Sequence, residues 1–192
     1  ICASSPRTHT LRKASRKPQS SLASLVTMVS LKIALQTVDR TVSDAAHAEL
    51  TGFVDLRNPS VVDKLPDEVL NFDRYLKPPD LQKTTAMVQD FLDNTGKGLA
   101  ADFLQVKEPK LERSFLVLYC ARQRRQINTG LGKVTIFLAL GPLSPANGLP
   151  KFRNDHSEEL ESGDAVLVAN VIQQMLDKNG GGGFALVSEW TT

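Results

Sequence analysis

Leu160-Glu-Ser-Gly163-Asp164-Ala-Val-Leu-Val168 is the stretch on which the architecture turns. A glycine enters the positive-φ region without steric cost, and an aspartate beside it can hold backbone amides, so Gly163-Asp164 makes a tight turn that launches a core strand. Three other runs have the same β-rich, apolar character: Phe115-Leu-Val-Leu-Tyr119, Val134-Thr-Ile-Phe-Leu-Ala-Leu140 and Phe184-Ala-Leu-Val187. Glycine, proline and asparagine separate them, Asn147-Gly148 being a turn signal in its own right. Gly180 to Gly183 are followed by a β run and by no Lys-Ser/Thr, so they read as a hairpin or loop and not as a phosphate cradle.

The first half reads differently. Val29, Leu31, Ile33 and Leu35 alternate with Ser30, Lys32, Ala34 and Gln36, the period-two pattern of a half-buried strand. Ser43 precedes an Ala-rich segment that Gly52 closes, which predicts a short capped helix carrying His47 as a surface or packing residue. Four prolines between 57 and 79 predict loops with brief helical turns. The clearest helix spans 80 to 94, with Asp80 as its cap, Leu81, Val88, Phe91 and Leu92 on one face, and Asn94-Thr-Gly96 ending it. Helices followed by strands predict an α+β fold, a sheet or sandwich backed by the N-terminal helices.

Of 192 residues, 23 are basic and 21 acidic, but residues 1 to 38 hold six of the basic ones and no acid, leaving the body mildly acidic. The basic excess thus sits in a Ser-rich head without aromatic residues, which argues against nucleic-acid binding. Residues 1 to 27 are expected to be a disordered basic leader or upstream extension, with organellar import left open, and residues 28 to 192 one domain in the cytoplasm. No apolar run reaches the roughly 18 residues of a membrane-spanning helix. Two cysteines exclude a four-thiolate zinc site, and His9, His47 and His156 are the whole histidine supply.

The β half, roughly 113 to 190, resembles the phytanoyl-CoA dioxygenase-like branch of the iron(II)/2-oxoglutarate oxygenases. The likeness is carried by Leu140-Gly-Pro-Leu-Ser-Pro-Ala-Asn-Gly148, then Pro150-Lys-Phe-Arg-Asn-Asp-His156, then the Gly163-Asp164 strand and the closing run Gly183 to Trp190. The resemblance implies a double-stranded β-helix (jelly roll) with N-terminal helices packed against it. It also implies a metal held by a His-x-Asp/Glu pair on an early strand and a histidine after the Gly-Asp strand. The sequence departs from that set. Gln123 to Thr129, where the pair belongs, holds neither histidine nor acid, and the later position falls at Gln173 or Gln174. The arginine expected to anchor oxoglutarate is replaced by Lys178 or the glycine run. His156-Ser157-Glu158 has the His-x-Glu form but lies in the turn before the Gly-Asp strand, with no histidine after it, and reads as loop.

No metal and no cofactor are therefore expected. The candidate ligand-binding residues are Arg122, Arg124 and Arg125, with Tyr119 and Gln174, suited to a small anionic molecule. Cys120, beside the arginines, reads as a packing thiol. The expected role is a non-catalytic binding module, or the partner subunit of an active homologue or of a homodimer, without nucleic acid or membrane. A metal-independent isomerase or cyclase using Tyr119, Glu158, Glu159 or Asp164 as acid or base stays open, as does a divergent oxygenase.

Overall fold

The computed structural model describes residues 30–54, 62–63, 73–76, 81–119, 124–128, 130–144, 146–147, 159–169, 171–175 and 182–192. Its elements run β1 (Ser30–Ala34), α1 (Arg40–Phe53), β2 (Val62–Asp63), β3 (Asp73–Leu76), α2 (Gln82–Asp90), α3 (Gly96–Leu104), β4 (Lys110–Tyr119), β5 (Arg124–Asn128), β6 (Lys133–Leu140), β7 (Ala165–Ala169), β8 (Val171–Met175) and β9 (Phe184–Thr191). Seven strands form an antiparallel sheet in the order β1-β7-β6-β9-β4-β3-β2, and β5 pairs with β8 in a second sheet. The four apolar runs of the sequence are β4, β6, β7 and β9, adjacent at the centre of the large sheet.

Those central strands are buried on both faces, which is why they read as continuous apolar runs. Leu116, Leu118, Ile136, Leu138, Leu167 and Leu186 face the helices, packing with Leu50 of α1, Met87 of α2 and Ala100 of α3. The alternate residues Val117, Phe137, Val166, Val168, Ala185 and Val187 form a second cluster on the opposite face, here called the inner face.

The Gly163-Asp164 turn has the predicted form and a wider reach. Gly163 has φ +90°, and a Cβ there would collide with the Val38 carbonyl oxygen. Asp164 Oδ1 accepts from the Gln36 amide (2.7 Å) and Oδ2 from the Glu161 amide (3.0 Å). Thr37 Oγ1 and the Val38 amide both donate to the Gly163 carbonyl (2.8 and 3.1 Å). The turn therefore fastens the β1–α1 connection to the start of β7. Asn147 is likewise a turn hub: its Oδ1 accepts from the Ser144 amide, its Nδ2 donates to the Pro142 carbonyl, and its own carbonyl accepts from Gly183 ahead of β9.

The helices differ from the sequence reading. α1 begins three residues before Ser43, capped by Asp39, whose Oδ1 accepts from the Thr41 amide (2.8 Å). Ser43 is buried within the helix and donates to the Ala139 carbonyl (3.0 Å), so its hydroxyl anchors α1 to β6 instead of capping it. His47 is the expected packing histidine: its Nδ1 is 2.9 Å from the Leu140 carbonyl and its ring meets Phe184 edge-on. Asp80 lies outside the described residues. The start of α2 is capped from α1, where Glu49 accepts from the Thr84 amide (2.7 Å), the Thr84 hydroxyl (2.8 Å) and the Lys83 amide (3.3 Å).

Nor does the helix stop at Gly96. A π-helical turn, Phe91–Thr95, carries it on into α3. Gly96 has helical φ, and a Cβ would stand 2.8 Å from the Phe91 ring, so this glycine makes room for a core phenylalanine and ends nothing. Between 57 and 79, β2 and β3 extend the sheet beyond β4, where loops and helical turns were expected. β1 covers the alternating run from Ser30 to Ala34, with Ile33 packed on the inner-face cluster and Ala34 on the helix-side cluster, after which Leu35 is 73% exposed.

Two outcomes follow from this packing. Val166→Asp and Phe137→Asp each bury an unpaired carboxylate at several kcal/mol, comparable with the roughly 5–15 kcal/mol that holds a domain folded, so both variants should lose the cooperative thermal transition; a soluble, cooperative pair would refute the core. For Glu49, burial against α2 raises the carboxyl pKa, but the Thr84 amide and hydroxyl, the Lys83 amide and the Lys83 charge outweigh it and hold the group below its ordinary value. The unfolded chain then binds the proton first as pH falls, so this group's stabilisation is complete above the ordinary carboxylate range and lost as pH drops through the lowered value. Melting curves should show Glu49→Gln losing less stability than wild type over that acidic interval.

Candidate functional site

The two segments that the oxygenase resemblance singled out meet across one ladder. β5 and β8 pair antiparallel with Arg124 opposite Met175, Arg125 opposite Gln174, Gln126 opposite Gln173 and Asn128 opposite Val171. Opposed residues share a face and successive residues alternate. Arg125 and Gln174 thus occupy one face of the ladder, while Arg124 and Met175 occupy the other. Of the candidate arginines, Arg124 and Arg125 take successive register positions in the ladder, and Arg122 lies outside the described residues. Cys120, His156, Glu158 and Lys178 also lie outside them, and Tyr119 ends β4 opposite Asp73.

Chain connection fixes where this ladder starts. A single residue separates Ala169 of β7 from Val171 of β8, and four separate Asn128 of β5 from Lys133 of β6. Both strands therefore leave the same end of the large sheet, where Ala169 is paired with Val134. Arg125 and Gln174 each stand three residues into the ladder, roughly 10 Å along the strands at about 3.3 Å per residue.

The large sheet's inner face becomes polar at this same end. Arg113 is opposite Glu189, Glu189 is opposite Thr135, and Thr135 is opposite Val168. Arg113 Nε and Nη2 each lie 2.7 Å from a different Glu189 oxygen, a two-pronged charge-assisted pair, with the guanidinium 5.8 Å above the Phe115 ring. The sequence reading missed these residues. The available signal was that a charge, two positions from Phe115 and from Val187, interrupts the apolar alternation in both strands.

Donor chemistry decides what the ladder can hold. β5 and β8 supply two arginines, three glutamines, an asparagine and apolar residues, with no imidazole and no carboxylate. That set does not fit iron(II) in a facial triad, which takes two imidazoles and a carboxylate. Among the described residues no three His, Cys, Asp or Glu side chains gather as a metal site. His47, on α1, is bonded at the helix-covered side of the sheet. Asp164, considered as an acid or base, commits both oxygens to backbone amides, and Glu159 is exposed. No described helix is long and apolar enough to cross a membrane.

Comparison with protein-family models and with curated proteins finds no match. Solved structures do match. AviO1 from Streptomyces viridochromogenes Tue57 superposes with a TM-score of 0.58 at 13% identity, over 84% of this chain and 89% of that one. SnoN, a non-heme alpha-ketoglutarate-dependent epimerase from nogalamycin biosynthesis, gives 0.59 at 12% identity, over 84% and 77%. An oxidoreductase of the 2OG-Fe(II) oxygenase family from Burkholderia pseudomallei gives 0.52 at 10% identity, over 85% and 84%. At such identities the likeness is one of fold: the chain shares its mixed helix and antiparallel-sheet architecture with proteins of the 2-oxoglutarate oxygenase class.

Proposed function

We propose that this chain is a non-catalytic member of the oxygenase fold, a double-stranded β-helix whose β5–β8 sheet stands over the inner face of the large sheet and whose open end binds a small anionic molecule. The observation that carries the reading is the β5–β8 ladder. It lies where the phytanoyl-CoA dioxygenase-like resemblance expects the metal, and it presents Arg125 and Gln174 opposite each other with no metal-binding side chain in either strand. Guanidinium and amide groups are donors suited to a carboxylate or phosphate, and an arginine repels a divalent cation. Binding then needs no chemistry at the site, and the protein acts alone, as a homodimer, or as the partner subunit of an active homologue.

Two measurements test this. Succinate release from 2-oxoglutarate, with iron(II) and ascorbate supplied, should remain at background for wild type and for His156→Ala; turnover that the substitution abolishes would make His156-Ser157-Glu158 a ligand pair and overturn the reading. Calorimetric titration with succinate should show binding that Arg125→Ala weakens by about 1.5–3 kcal/mol, the worth of a charged hydrogen bond. Arg124→Ala, on the other face of the ladder, should change it less. Equal affinities for wild type and both variants would move the site elsewhere.

A further inference from the structure

We infer that Glu189 is a built-in stand-in for the ligand's carboxylate: it occupies the fork of Arg113 at the polar end of the inner face, and a small carboxylate binds there by displacing it. This rests on the anion-binding reading above and adds the competing group and the shape of the ligand. Each of two guanidinium nitrogens meets its own Glu189 oxygen at 2.7 Å, so the fork is already arranged for a planar carboxylate. Arg113's side chain is 63% exposed against 20% for Glu189, which lets a solute reach the fork from solvent. The Phe115 ring beneath the guanidinium supports it independently of Glu189.

A second observation points to a ligand at the same place. Thr135, the cross-strand neighbour of Glu189, is 2% exposed, and among the described residues its hydroxyl has no hydrogen-bond partner. The other buried polar side chains, Ser43, Thr84, Ser162, Asp164 and Ser188, all have one. A buried hydroxyl without a partner is uncommon and asks for an explanation. Here it stands beside a carboxylate that is itself replaceable, at the sheet end from which β5 and β8 depart. A bound carboxylate on Arg113 would accept from Thr135.

The test is titration with succinate, and with inorganic phosphate as a tetrahedral control, of wild type, Glu189→Gln, Arg113→Ala, Thr135→Val and Thr135→Ser, each with its melting temperature. Removing the internal competitor should tighten succinate binding about threefold to tenfold in Glu189→Gln, because the competent fraction of the fork rises. Arg113→Ala should weaken binding, and Thr135→Val should weaken it while keeping its melting temperature, with Thr135→Ser restoring it. Glu189→Gln that binds succinate no better than wild type, with Arg125 still required, overturns the stand-in while leaving the proposed function intact. Phosphate bound more tightly than succinate overturns the carboxylate assignment. Absence of binding in wild type and in Glu189→Gln alike overturns both readings.

Discussion

The turn at Gly163 and Asp164 is the contact on which the other elements depend. One carboxylate and one carbonyl hold the amides of Gln36, Glu161 and Val38 and the Thr37 hydroxyl, so the β1–α1 connection is fixed to a turn more than 120 residues later in the chain. The same turn bonds to β6, where the Gly163 amide donates to the Ala139 carbonyl and the Ala139 amide donates to the Asp164 carbonyl. Ala139 receives the Ser43 hydroxyl as well, so the turn, the central strand and the first helix share one network. Local conformation and long-range closure are thus set by the same two residues: any L side chain at 163 would meet Val38, and any shorter or apolar side chain at 164 would orphan two amides.

That network also explains how the fold and the site come to be separable. Core burial lies in β4, β6, β7 and β9 and in the helices behind them. β8 is spliced to β7 by one residue, so the positions of Gln173 and Gln174 are dictated by the core whatever side chains stand there. A scaffold of this kind keeps its geometry when the site changes chemistry, which is why likeness to oxygenases of about 12% identity says nothing by itself about turnover.

Legibility in the sequence followed the range of the interaction. The strands β4, β6, β7 and β9 were readable because burial on both faces writes an apolar run, and the Gly-Asp turn because its conformation admits few residues. The start of α1 was misplaced because Ser43 and Asp39 both carry capping side chains, and only the sheet beneath Ser43 decides between them. Gly96 looked like a stop because glycine usually is one; a ring five residues earlier in the same helix makes it a packing residue. β2 and β3 could not be read from proline-rich sequence, since their hydrogen bonds come from β4. The site was half legible: the glutamines and arginines of β5 and β8 can be read from residue types, whereas Arg113, Thr135 and Glu189 come together from strands separated by up to 76 residues.

The convergence of those three residues bears on why the polar end persists in an otherwise apolar face. Glu189, whose side chain is 20% exposed, would be costly to keep charged alone beside Val187, and the bidentate pair with the more exposed Arg113 lowers that cost. An apolar pair at 113 and 189 would continue the alternation of both strands and give Thr135 no polar neighbour to face. Under the proposed exchange, the internal pair neutralises the fork when it is empty, and its loss is offset when the ligand takes both the fork and the Thr135 hydroxyl, which is buried and has no partner among the described residues.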